Sequence, residues 1–239
     1  MALRHRLTLF KKEKVASNAW AFVLEQPEGF EFRAGQYVRI FDPVVGESVF
    51  RDFTIASSPQ QKDNLLLIVK EGISEYKQHL LGLEIGEKLL VDAPLGRFYI
   101  QDEDRSSLVF IAGGIGITPF YSMITDSIER NLSIPITLIS SFSKVEDMLF
   151  FKELNEMEQI SNNLQIAYTI TQPAKSSLPW DSHVDRISED LIKEYVRDIY
   201  VPTFLISGSP SFVIDMEDLL TSMKIRSSQI KVEVFLGFS

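Results

Sequence analysis

Near residue 106 the hydrophobic rhythm of this 239-residue chain changes, and no other feature constrains its fold as strongly. Before that point, short apolar runs are divided by turn residues: "HRLTLFKKEKVA", "AWAFVLEQ", "QYVRIFD", "RDFTIASS", "NLLLIVKE" and "EKLLVDAP". The dividers are Pro27-Glu28-Gly29, Ala34-Gly35-Gln36, Val45-Gly46-Glu47 and the stretch 59–64. Strands of this length and spacing predict an antiparallel β-barrel or sandwich. One segment, "SEYKQHLLGLEIG", reads instead as a helix with Tyr76, Leu80 and Leu83 on one face.

After residue 106, apolar strands alternate with amphipathic helices. "SLVFIAG" precedes "TPFYSMITDSIERN", and "IPITLISSF" precedes "EDMLFFKELNEMEQI". "LQIAYTIT" and "SEDLIKEYVRD" follow, then "TFLISG" and "SPSFVIDMEDLLTSMK", and a closing strand "IKVEVFLGF". That alternation predicts an α/β domain built on an open parallel sheet. The polar link "QDEDRSS" marks the boundary, giving an antiparallel β-barrel over 1–103 and an α/β domain over 104–239. The loop 172–184 is long enough for a lid or a flexible connection.

Composition narrows the chemistry. The chain has no cysteine, which removes disulfides, Cys-ligated zinc, protein-held iron–sulfur clusters and thiol catalysis. A net charge of −9 argues against a general grip on nucleic acid. No apolar run reaches membrane-spanning length, and the N-terminus reads as a first β-strand rather than a signal peptide, so the cytoplasm is the expected location. His5, His79 and His183 lack a second histidine at ligand spacing, and no G-x-S-x-G surrounds a serine. No metal site is expected. An enzyme of this kind would rely on something it binds for its chemistry.

Two strings offer binding chemistry. In "LVFIAGGIGITPFYSMI", Gly113, Gly114 and Gly116 sit where the first strand of the second half turns into its first helix. Glycine lets a phosphate approach the main chain, and the helix start supplies free N–H groups and a positive dipole end. Pro119 suits the first helical turn. The string is neither G-x-G-x-x-G nor a P-loop; a tight turn that binds nothing is the alternative. In "RDFTIASSP", alternation sends Arg51, Phe53 and Ile55 one way and Asp52 and Thr54 the other. Arg51 suits a phosphate, Phe53 a ring face and Thr54 a ring edge.

Taken in order, "R-x-F-T-x-x-S-S-P", "VKEGISEYKQHL", "APLGRF", "GGIGITPF" and "SGSPSFV" resemble the ferredoxin–NADP+ reductase superfamily across nearly the whole chain. The resemblance implies a stand-alone two-domain flavoprotein, its barrel binding FAD and its α/β domain binding NADPH or NADH. By that resemblance Arg51 binds flavin phosphate, Phe53 replaces the usual tyrosine beside the flavin, and Thr54 replaces the commoner serine near N5. Ser57 belongs to the same string. Val69, Lys70, Gly72 and Ser74 match the segment that runs along the isoalloxazine and holds the pyrophosphate. Gly113, Gly114, Gly116, Thr118 and Pro119 match the nicotinamide-nucleotide motif, with Thr118 near the nicotinamide. Ser207, Gly208, Ser209 and Pro210 match a Cys-Gly-x-Pro string, with Ser207 in the cysteine's place.

Thr54, Thr118 and Ser207 are thus the expected catalytic positions. At the adenosine end Ser141, Ser143 and Lys144 suit a 2′-phosphate, and Phe238, or else Phe235, is the aromatic that covers the flavin. The implied activity is hydride transfer between NAD(P)H and FAD, with electrons passing to a separate acceptor such as ferredoxin or flavodoxin. Arg33, Arg39, Lys70 and Lys77 in the flavin half could attract an acidic carrier. Direct reduction of a free flavin or quinone, and a non-catalytic flavin-binding subunit, are the alternatives.

Overall fold

The structure, a computed structural model, describes residues 3–101, 104 and 106–236. Six strands and one helix make the first half: β1 (Leu3–Ala16), β2 (Ala19–Glu25), β3 (Tyr37–Asp42), β4 (Gly46–Thr54), β5 (Asn64–Lys70), α1 (Glu75–Gly82) and β6 (Lys88–Leu95). All pair antiparallel in the order β4-β3-β6-β1-β2-β5. The two edges meet where Ile55 bridges Leu67 and the Ala56 N–H donates to the Leu66 carbonyl, so the sheet curls into a barrel. The alternation that flagged these strands buries Leu7, Leu9, Phe22, Leu24, Val38, Ile40, Leu65 and Leu67 inside it. α1 caps one end with Tyr76 and Leu80, as its helical spacing requires, and the Tyr76 hydroxyl donates to the Ile40 carbonyl at 3.1 Å. β4 begins five residues before the expected "RDFTIASS", because the Asp42 carboxylate accepts the Val44 and Val45 N–H groups and folds the chain straight back along β3.

The second half contains β7 (Leu108–Gly113), α2 (Thr118–Glu129), β8 (Ile136–Phe142), α3 (Phe151–Ile160), β9 (Leu164–Ile170), β10 (His183–Val184), α4 (Glu189–Tyr195), β11 (Thr203–Gly208), α5 (Pro210–Ser222) and β12 (Ile230–Val234). Its sheet is wholly parallel, in the order β10-β9-β8-β7-β11-β12. Apolar clusters cover both faces, which explains the near-continuous hydrophobic run of β7. α3 starts at Phe151 rather than near Glu146. Phe150 takes a left-handed φ of 58° and stacks its ring on Tyr121, with centroids 3.8 Å apart, so the helix cannot extend back through it.

From β7 the chain builds outward through β8 and β9, then returns to lay β11 on β7's other side. The carboxyl ends of β7 and β11 therefore lie together at a topological switch point, where open α/β sheets place their ligand crevice. The barrel docks on this end of the sheet. One apolar cluster unites Ala19, Ala34, Ala56, Ile68 and Phe98 with the α2 side of the sheet. Across the same seam the Ser122 hydroxyl donates to the Ser57 carbonyl at 2.7 Å and Gln60 Nε2 donates to Asp126 at 2.8 Å. No helix among the described residues is long and apolar enough to cross a membrane.

Candidate active site

A cleft of about 1320 Å³ opens along the seam, with walls from both halves. On the barrel side the end of β4 supplies Arg51, Asp52, Phe53 and Thr54, and β3 supplies Tyr37 and Arg39. The pleat divides them. Phe53 lies nearly parallel to the Tyr76 ring, centroids 6.4 Å apart, and the Arg51 guanidinium sits 5.3 Å from the same ring centre. On the opposite face of β4, Asp52 receives a forked pair of bonds from Arg39 at 2.8 and 3.0 Å. Arg39 is thereby neutralised.

Lys70, at the end of β5, and Lys77, on α1, complete a cationic wall with Arg51. Burial lowers the Lys77 pKa, and the charges of Lys70 and Arg51 lower it further. Three mutually repelling cations fit a polyanionic guest such as a pyrophosphate, which would relieve the repulsion. Gly72 lies beside them, where a Cβ would stand 2.5 Å from the flexible end of the Lys77 side chain, a contact that side chain can relieve by moving. Ser74 is the N-cap of α1, without a side-chain capping bond. Beyond Leu67 the strand pairs, among the described residues, only with β2, so the main chain of Ile68 to Lys70 offers its other edge to the cleft. The Val69 side chain itself is wholly buried in the barrel, and the Ser57 hydroxyl accepts the Leu66 N–H at 3.1 Å rather than facing the cleft.

The facing wall is the switch point. Gly113 ends β7 and Gly114 follows it into the turn, with Gly114 at φ +54° and open space where a Cβ would stand. Thr118 lines the cleft, and its hydroxyl donates to the Ile115 carbonyl at 2.9 Å, tightening the turn into α2. Pro119 occupies the first turn of α2 and is buried. Gly116 packs against β11, where a Cβ would meet the Ser207 carbonyl oxygen at 2.2 Å. Ser207 is itself fully buried, and its hydroxyl has no hydrogen-bond partner among the described residues. Beyond buried Gly208, Ser209 caps α5 by accepting the Phe212 N–H, and Ser209 and Pro210 line the cleft. The Phe212 ring covers both strand ends, so close that a Cβ on Gly113 or Gly208 would come within 2.6 or 2.7 Å of it.

The two halves of the chain match two known domain families in succession. Residues 6–100 match the oxidoreductase FAD-binding domain and residues 110–218 the oxidoreductase NAD-binding domain. The chain belongs to the ferredoxin–NADP+ reductase superfamily. It is 24% identical over 231 residues to the glycine betaine monooxygenase reductase subunit of Chromohalobacter salexigens, covering 93% of this chain and 62% of that protein. It is 30% identical over 166 residues to NADH-cytochrome b5 reductase 1 of Cryptococcus neoformans, covering 67% of this chain and 54% of that one. The chain thus spans little more than half the length of these relatives. A ferredoxin NADP+ reductase from Neisseria gonorrhoeae, solved with bound FAD and NADP, shares its fold with a TM-score of 0.82 at 21% identity, over 99% of this chain and all of that one.

At the far end of this reductase-superfamily cleft, Ser141 and Ser143 line the wall at the tip of β8, while Lys144 stands just outside it. Arg186, 2.9 Å from Asp215, also lines this end. At the near end the chain just after β12 contributes Phe235, whose N–H donates to the Gly208 carbonyl at 2.8 Å; Phe238 lies outside the described residues. Sequence reasoning missed Tyr37, Tyr76, Phe212 and Glu233 as cleft residues. Tyr76 carried only a helix-core signal, and Phe212 lay unremarked in a quoted motif. Glu233 alternates with Val232 and Val234 along β12, which hinted at its facing. Burial, and after it the charge of Asp52, pushes the Glu233 carboxyl up to about 7.

Proposed function

We propose that this protein is an NAD(P)H-dependent flavoprotein reductase. It would transfer hydride between NAD(P)H and FAD and pass the electrons to a separate acceptor, a carrier of the ferredoxin or flavodoxin class. The observation that carries this reading is the single cleft that joins Arg51, Phe53 and Thr54 of the barrel to Gly113, Gly114 and Thr118 of the sheet. Residues 1–103 are assigned to flavin and 104–239 to the nicotinamide nucleotide, consistent with the strand break between Leu95 and Leu108.

Each residue's part follows from its place. Arg51, Lys70 and Lys77 hold the pyrophosphate, and the glycine-lined turn before α2 receives the nucleotide's phosphates on main-chain N–H groups. Phe53 and Tyr37 give apolar ring surface, and Thr54 a hydrogen-bonding edge. Ser207 is fully buried behind Gly116 rather than among the residues that line the cleft, so no contact with a bound ring is assigned to it. FAD, when bound, supplies the redox chemistry itself. The protein's contribution is to hold two heterocycles in contact and keep water out, an orientation effect that reaches ~7–11 kcal/mol in the best cases. Ser141 and Ser143 support acceptance of a 2′-phosphate and hence NADPH.

The test is anaerobic titration of the FAD-loaded protein with NADH and with NADPH, read at the flavin band. Bleaching is expected, at lower concentration with NADPH. An unchanged band with both nucleotides refutes the reading, and turnover with ferredoxin, flavodoxin, free flavin and quinone then identifies the acceptor.

A further inference from the structure

A second hollow, of about 670 Å³, lies at the other end of α2 and shares no lining residue with the cleft. Thr118 opens α2 at the cleft, and Arg130 ends it at the hollow, about 18 Å away at 1.5 Å per residue. Three separate segments bring an arginine to this hollow. Arg33 comes from the loop between β2 and β3, Arg97 from the link after β6, and Arg130 from the end of α2. Its volume falls within the range of about 300–1,000 Å³ common for small-molecule sites.

The charge is left over rather than spent. Asp126 is the only acidic side chain among the described lining residues, and it is already committed to Arg130 at 3.2 Å and to Gln60 at 2.8 Å. Arg33 and Arg97 form no ion pair with any described residue. Arg33 is also held in place, its guanidinium 4.7 Å from the centre of the Tyr99 ring. Among the lining residues, the Ser127 hydroxyl is buried and has no hydrogen-bond partner among the described residues. Among the described residues, a surplus of two guanidinium charges is thus concentrated in one concave place on a chain of net charge −9. Guanidinium forks match phosphate oxygens in shape as well as charge.

We propose that this hollow is a second ligand site, for a small phosphate-bearing molecule. Its occupant would touch the barrel loops, the interdomain link and α2 at once, and so hold the two halves together. This site is independent of the reductase reading, because the hollow contains none of the cleft residues.

The test uses protein saturated with FAD, so that the cationic wall of the cleft is occupied. Thermal unfolding is followed with orthophosphate, with ribose 5-phosphate and with ribose, all at matched ionic strength. Both phosphates are expected to raise the melting temperature by about 2 °C or more at saturation, and ribose is expected to do nothing. Stronger stabilisation by ribose 5-phosphate identifies a phosphomonoester as the ligand class; equal stabilisation identifies the free anion. In Arg33→Ala/Arg97→Ala the phosphate Kd should weaken at least tenfold, and in Arg130→Gln similarly. Lys152→Ala/Lys193→Ala, which removes two charges elsewhere, should leave it unchanged. No shift with either phosphate, or an equal shift in the arginine variants and the parent, overturns the proposal.

Discussion

Gly114 and Gly116 lie two residues apart in one turn, yet alanine should fail at them for different reasons and by different amounts. At Gly116 the added methyl would stand 2.2 Å from the Ser207 carbonyl oxygen, 2.5 Å from its carbon and 2.7 Å from the Gly208 nitrogen. Ordinary contact begins at 3.4 Å, so β11 would have to retreat by about 1.2 Å. It cannot do so freely, because Ser207 pairs with Ala112 of β7 on one side and Glu233 of β12 on the other. Overpacking of this kind costs ~1–3 kcal/mol, and each strained ladder bond adds ~1 kcal/mol. We expect Gly116→Ala to lose about 3–5 kcal/mol of stability. At Gly114 nothing stands within 4 Å of the new methyl, and the cost is only that of φ +54°, about 1–2 kcal/mol. That methyl projects where a nucleotide phosphate would sit. Gly114→Ala should therefore weaken NADPH binding out of proportion to its stability loss, and Gly116→Ala the reverse. Urea unfolding of the apoprotein, followed by circular dichroism, gives the stabilities, and fluorescence titration gives the affinities. If Gly114→Ala proves the more destabilising of the two, the packing argument is wrong.

Three further outcomes follow from the cleft. Arg51→Ala should weaken FAD retention by about 10- to 100-fold, the worth of a charge-assisted hydrogen bond, measured by equilibrium dialysis of the flavin. Ser207→Ala removes a buried hydroxyl that has no partner among the described residues, so the apoprotein should gain about 1 kcal/mol in urea midpoint measurements; a loss would mean the hydroxyl is bonded. Glu233 should shape the pH profile. Its folded pKa, about 7, lies above the ordinary 4.5, so between these values the folded state holds the extra proton. Stability gained from this group is complete below pH 4.5 and falls as pH rises to about 7, with a slope of up to ~1.4 kcal/mol per unit. Glu233→Gln should flatten that window, and an unchanged slope would count against the burial argument.

Four basic residues of the barrel half, Arg33, Arg39, Lys70 and Lys77, look equivalent in the sequence, and folding gives them three different fates. Arg39 is spent on Asp52, its partner across the β3–β4 ladder. Lys70 and Lys77 face the cleft with Arg51, while Arg33 turns to the separate hollow beside Tyr99. An acceptor-docking patch made of all four does not form. The same holds for polar groups: Ser57 and Ser207 belong to recognisable strings, yet one is used to tie β5 to the barrel loop and the other is buried without a bond to any described residue.

The sequence by itself determined the two architectures, their order along the chain, and the position of the glycine turn between β7 and α2. Those are short-range properties. A period of two, a helix-spaced apolar face and a glycine–proline turn are each written within a few neighbouring residues. Only the tertiary structure decided which side chains share the cleft, that Tyr76, Phe212 and Glu233 join it, and that three arginines meet behind it. Those facts depend on how one closed barrel docks against one end of a parallel sheet, and that docking is set by a continuous apolar seam between segments far apart in the chain.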